Sequence, residues 1–119
     1  IVIIDHFARS VFDDGVPYEK ASDLWGLAKF SGVHLKLTHR TLEAASVGNS
    51  NHEDFFRHVL RFFPADRIAW GSNFPAAERP LSTLLAEARA AISHLDQSDQ
   101  NLMLGGVAKS LFPSLKYST

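Results

Sequence analysis

Residues 67–75 read RIAWGSNFP, a short apolar run that stops at Gly71 and delivers Ser72 and Asn73, then an aromatic and a proline. Asn73 is the first candidate for chemistry. A carboxamide accepts and donates hydrogen bonds and can orient water or a carbonyl. Unlike a tuned carboxylate, it cannot take a proton near neutral pH. Two earlier apolar runs end in the same manner. IVIID (1–5) hands over to His6, with Arg9 just beyond, and VHLKLTH (33–39) carries Lys36 inside and ends in Thr38, His39 and Arg40.

Each of these side chains also has a purely structural reading. His6 could be a core histidine bonded to a backbone carbonyl, and Asp5 reads best as a loop cap. Lys36 either faces an enclosed interior, which is costly without a partner, or snorkels outward. His39 and Arg40 read as solvated loop residues, and Asn73 suits the turn chemistry of SNFP. What favours function is that all three apolar runs end in polar groups. His34, His52, His58 and His94 fall on helices or on the opposite strand face and are assigned no chemistry.

The elements that must position these residues follow from periodicity. Residues 1–5 are continuously apolar and β-branched, the pattern of a strand buried on both faces. Residues 7–17 contain Asp13, Asp14, Gly15 and Pro17 and read as a loop. From Tyr18, helical spacing of Ala21, Leu24, Trp25 and Ala28 predicts a helix closed by Gly32. Residues 33–39 alternate as a second strand, and 40–51 become loop-like toward Asn51, which can cap the next helix. Phe55, Phe56, Val59, Leu60 and Phe63 line one face of that helix, with Pro64 beyond it. Residues 67–73 form the third strand and 79–95 an amphipathic helix with Pro80 near its first turn. A last helix near Asp99–Phe112 is expected to be disturbed at Gly105-Gly106. Strands alternating with helices across short connections imply parallel βα units. In such folds the chemistry lies beyond the C-terminal ends of the strands.

Bulk properties narrow the classes. The chain has 119 residues, net charge −1, 45% hydrophobic and 21% charged residues, ordinary values for one domain or a piece of a longer one. No basic run points to nucleic acid and no charge excess to an anionic membrane. With no cysteine there are no disulfides or thiolate metal sites, which fits a cytoplasmic location. No apolar run reaches the ~18 residues of a membrane span. The chain starts at Ile1 inside an apolar run, as a fragment would. Three parallel strands leave apolar edges open, and a closed (β/α)8 barrel needs roughly 250 residues.

Taken in order, IVIIDHFAR, VHLKLTHR, DRIAWGSNFP and LGGVAKSLFP resemble the C-terminal half of the amidohydrolase-related, amidohydrolase-2 type TIM-barrel hydrolases. That branch includes dicarboxylate lactonases and decarboxylases. The resemblance covers essentially the whole chain, so residues 1–119 are expected to be the C-terminal half of such a barrel. It implies a hydrolase acting on a lactone, ester or amide of a small carboxylated compound. His6 matches a family histidine that contacts substrate or a divalent metal such as zinc. Arg9 and Arg40, by looser alignment, match arginines that hold substrate carboxylates, with Lys36 and His39 beside them as substrate-binding candidates. Asn73 stands where the family carries a catalytic or metal-binding Asp. It implies a metal-independent variant with its base elsewhere, a binding-only descendant or a substitution that traps substrate; the cofactor expected is a divalent metal or none. A binding-only descendant or a decarboxylase are the alternatives. A flavodoxin-like domain is disfavoured, since no Gly-rich phosphate loop follows a strand. Expected partners are a small-molecule substrate and either the remainder of the same chain or a second copy, with no nucleic acid and no membrane.

Overall fold

The computed structural model describes residues 1–72 and 78–111; Asn73 lies outside them. Within the described residues a three-stranded sheet runs in the order β1 (Val2–Ile4), β2 (Val33–Leu37), β3 (Ile68–Trp70). Both pairings are parallel, with Ile4 opposite Leu35 and Leu35 opposite Ile68, then Lys36 opposite Ala69 and Leu37 opposite Trp70. Residues paired across a sheet share a face. Ile4, Leu35 and Ile68 therefore form one apolar face, while Ile3, Lys36 and Ala69 occupy the other.

The alternation in β2 is reproduced in burial. Val33, Leu35 and Leu37 are buried, and His34 and Lys36 are partly exposed. In β1 the expectation of burial on both faces is not met: Ile1 and Val2 are exposed. β1 is an edge strand, and nothing among the described residues covers its outer side.

The helices are shorter than periodicity predicts. The segment from Tyr18 to Gly32 holds one short helix, α1 (Ser22–Gly26), between single tight turns at Glu19–Ala21 and Leu27–Lys29. Residues 39–44, read as the end of the strand and the start of a segment loop-like toward Asn51, form α2 (His39–Ala44), with Thr38 and Thr41 building a capping box at its start. α3 (His52–Phe62) matches its sequence signals, with Asn51 accepting the Asp54 N–H at 2.9 Å. α4 (Leu81–Ala91) begins directly after Pro80. The last helix is split as the glycines foretold: α5 (Gln97–Asn101) and α6 (Val107–Leu111) flank a π-helical turn at Leu102–Gly106. β3 ends at Trp70, with Gly71 and Ser72 outside the strand, and residue 73 of the expected strand lies outside the described residues.

An aromatic cluster fills the core beside the sheet. Phe12 lies 4.7 Å from Phe55 and Tyr18 lies 5.7 Å from Phe55, both edge-on, and the Trp25 indole N–H donates to the Tyr18 carbonyl at 3.0 Å. Phe7 and Phe12, in a segment read as loop, are fully buried members of this core. His58 sits against Trp25 at 4.8 Å and Tyr18 at 5.2 Å, and among the described residues neither of its ring nitrogens has a hydrogen-bond partner. Burial holds its pKa below the ordinary imidazole value, and the Arg61 charge adds to the effect.

Arg67 ties the sheet to the preceding turn. Its guanidinium donates to the carbonyls of Val33 at 2.9 Å, Ala28 at 2.9 Å and Phe30 at 2.6 Å while lying over the Phe63 ring. Two loops are likewise stitched by Asn49 N–H donating to the Asp13 carbonyl at 2.9 Å. Gly48, at φ 62°, is required there: a side chain would collide with the Asp13 carbonyl. Gly48→Ala should cost about 1–3 kcal/mol in urea unfolding; an unchanged midpoint would contradict the close approach.

A folded pKa below the unfolded one means that the unfolded chain binds protons first as the pH falls. The contribution of His58 is thus present above about pH 6.5 and lost below it. His58→Phe removes both the unpaired nitrogens and this titration. Its unfolding free energy should exceed the parent's, with the gap widening from pH 7 to pH 5. A constant gap would show that His58 is not the titrating group.

Candidate active site

The three strand exits come together at one edge of the sheet. β1 gives way at Asp5 to a left-handed turn, with φ of 54°, 51°, 59° and 52° at His6, Phe7, Ala8 and Arg9. Four successive non-glycine residues in this region are unusual, because Cβ crowds the following carbonyl. The turn buries Phe7 in the core next to Phe55, 5.8 Å away, which offsets part of that strain. It also directs the partly exposed His6 ring toward the end of β2, where His6 Nδ1 meets Thr38 Oγ1 at 2.5 Å.

Thr38 is fully buried, and its N–H donates to Thr41 Oγ1 at 3.3 Å. One residue thereby caps α2 and anchors the histidine. The sequence placed Thr38 at the strand end without giving it a role. The only local signal for it was the Thr-x-x-Thr spacing of the cap.

Charge surrounds the imidazole. Burial lowers the His6 pKa, the Arg9 cation lowers it further against the opposing effect of Asp5, and Arg40 and Lys36 act in the same direction as Arg9. These effects favour the neutral form of the His6 imidazole.

Lys36 points from the middle of β2 toward Asp5, with 3.7 Å between ammonium and carboxylate. An ion pair this exposed contributes about 0–1 kcal/mol, so it orients more than it stabilises. Gly71 leaves room for the lysine, since a Cβ there would collide with Lys36 Cε. Ile3, Asp5, Lys36, Ala69, Trp70 and Leu111 line a recess of about 260 Å³ on this face.

His6, Arg9, Lys36 and Arg40 thus form one electrostatic neighbourhood. His39 belongs elsewhere. It lines a separate cleft of about 390 Å³ with Leu42, Glu43, His52, Arg79 and Glu87, and its Nδ1 is buried without a hydrogen-bond partner. Arg79 bridges Glu43 at 3.2 Å and Glu87 at 3.3 Å across that cleft. The β3 exit is described through Gly71, whose N–H donates to the Leu37 carbonyl at 2.8 Å, and Ser72; the position of Asn73 beyond it is not described.

The amidohydrolase family model matches residues 1–113. The chain belongs to this amidohydrolase family. No curated protein sequence matches it. Among solved structures it is similar to a putative 2-pyrone-4,6-dicarboxylic acid hydrolase from Pseudomonas putida, with 19% identity and a TM-score of 0.68 over 93% of this chain and 42% of that one. An amidohydrolase from Burkholderia multivorans is similar in two crystal forms, both 17% identical over 91% of this chain and 42% of that one. One form holds HEPES (TM-score 0.65) and the other zinc (TM-score 0.67). The chain spans about two-fifths of the length of these structures, and at such identities the likeness establishes a shared fold.

Among the described residues no three His, Cys, Asp or Glu side chains cluster as a metal cradle. The groups around His6 are mostly cationic, which opposes a dication. This donor set does not fit a divalent metal. No described helix is long and apolar enough to cross a membrane.

Gly71→Ala tests the placement of Lys36. The lysine end is flexible, so the unfolding midpoint should change little. A crystal structure of the variant should show Lys36 and Asp5 separated beyond about 4 Å, the limit of an ion pair. A retained pair would mean that Gly71 does not set the path of Lys36.

Proposed function

We propose that this chain is the C-terminal part of a (β/α)8 barrel hydrolase that cleaves a lactone, ester or amide bond in a small carboxylated compound. The observation that carries the reading is His6, favoured in its neutral form, anchored on Thr38 and surrounded by Arg9, Arg40 and Lys36 at the strand exits of a family member. Guanidinium groups suit a substrate carboxylate through paired, charge-assisted hydrogen bonds. A neutral imidazole beside them suits polarisation of the scissile carbonyl as negative charge develops on its oxygen. In this reading Asn73 orients the attacking water or the oxyanion through its amide, and His39 contributes only if the cleft against α4 reaches the substrate.

Support for the barrel comes from the parallel βα order and from its fit to two-fifths of larger amidohydrolase structures. The open β1 edge, with Ile1 and Val2 exposed, suits pairing with the remainder of the same chain or with a second copy. The dicarboxylic acid hydrolase of Pseudomonas putida, named for a substrate with two carboxylates, agrees with the role given to Arg9 and Arg40.

Assay of the intact protein against carboxylated lactones, esters and amides should reveal hydrolysis. His6→Ala should lower kcat/KM by on the order of 10²-fold, and Arg40→Ala should mainly raise KM. Binding of such compounds without turnover would favour the second reading, a non-catalytic descendant, to which the amide of Asn73 points. Neither binding nor turnover would sink both.

A further inference from the structure

The hydroxyl of Thr38 must give its proton to an acceptor, and the described residues around it leave one. Thr38 is fully buried, out of reach of bulk water. Its oxygen receives the Thr41 N–H in the capping box, and its own N–H is spent on Thr41 Oγ1. Among the described residues, the remaining polar atom shown within hydrogen-bond distance is His6 Nδ1, at 2.5 Å. A buried hydroxyl proton left unpaired is unfavourable, and a neutral imidazole has one nitrogen able to accept it.

We infer that Thr38 donates its hydroxyl proton to Nδ1 of His6 and thereby fixes the tautomer with hydrogen on Nε2, making His6 a hydrogen-bond donor to the substrate carbonyl rather than a metal ligand. The role toward substrate rests on the hydrolase reading; the tautomer does not. Thr38 is a positioning residue, acting through the histidine and touching no reacting atom.

The consequence is a chemical division. Metal binding at a histidine needs a nitrogen lone pair. Here the Nδ1 lone pair is taken by Thr38, and Nε2 carries its hydrogen in the ring plane where its lone pair would be. The same N–H is what a developing oxyanion requires. As negative charge develops on the carbonyl oxygen, the Nε2 hydrogen bond strengthens without the proton leaving the ring. The left-handed turn supplies the other half of the constraint. It holds the His6 backbone at φ 54° while Thr38 holds the ring.

Long-range proton–nitrogen NMR of the ¹⁵N-labelled intact protein, at a pH where imidazole is neutral, tests this directly. For His6, Nε2 should resonate as a protonated, pyrrole-type nitrogen and Nδ1 as an unprotonated one. Thr38→Val should shift Nδ1 downfield through loss of its hydrogen-bond donor, and Thr38→Ser should leave it in place. Equimolar zinc should not move His6 Nε2. In the hydrolysis assay Thr38→Val should lower kcat on the order of tenfold with little change in KM, and Thr38→Ser should restore it.

A protonated Nδ1 in the parent, an unmoved Nδ1 in Thr38→Val, or a zinc-shifted Nε2 would overturn the inference. If Thr38→Val does not fold, the parent spectrum and the zinc titration decide alone. An Nε2–H tautomer in a protein without hydrolytic activity would sustain the Thr38–His6 assignment and remove the hydrolase reading instead.

Discussion

Everything in this chain depends on the parallel register of three strands with β2 in the middle. β2 bonds to β1 along one edge and to β3 along the other, so the strands finish on the same side of the sheet. Parallel pairing forces each return connection to cross over a face. The helices and the aromatic core therefore occupy the flanks, while the polar residues emerge together at the exits. With β1 reversed, His6 and Thr38 would stand at opposite ends of the sheet.

Two polar clasps hold that arrangement, one at each end of β2. At its start Arg67 spends its guanidinium on the backbone carbonyls of Val33, Ala28 and Phe30. Such charge-assisted bonds satisfy groups that would otherwise be costly to bury. At its end Thr38 closes α2 and holds the His6 ring. The sheet is short, with strands of three and five residues, and these side-chain bonds do work that longer ladders would do in a larger sheet.

The strain in the turn after β1 has a place in the same scheme. Its left-handed residues turn Phe7 inward and His6 toward β2, so one backbone excursion fills the core and aims the imidazole. Sub-optimal backbone is often stored next to functional groups and compensated by packing nearby. Here the compensation is visible in the Phe7–Phe55 contact.

The sequence by itself determined the class of most elements, α2 excepted, their alternating order and the chemistry arriving at each strand exit. Apolar periodicity and turn residues act over a few neighbouring positions, and those local preferences survived in β2, α3 and the glycine-split last helix. Only the tertiary structure decided which polar groups meet. Thr38 and His6 are 32 residues apart, and Arg67 reaches carbonyls 34 to 39 residues away. His39 and Arg40 are adjacent in the chain, yet a new helix begins between them and Thr38, and His39 is carried off to the α4 cleft while Arg40 stays near His6. Local pattern carries no record of such pairings, because they are set by strand register and by which faces the core excludes from water.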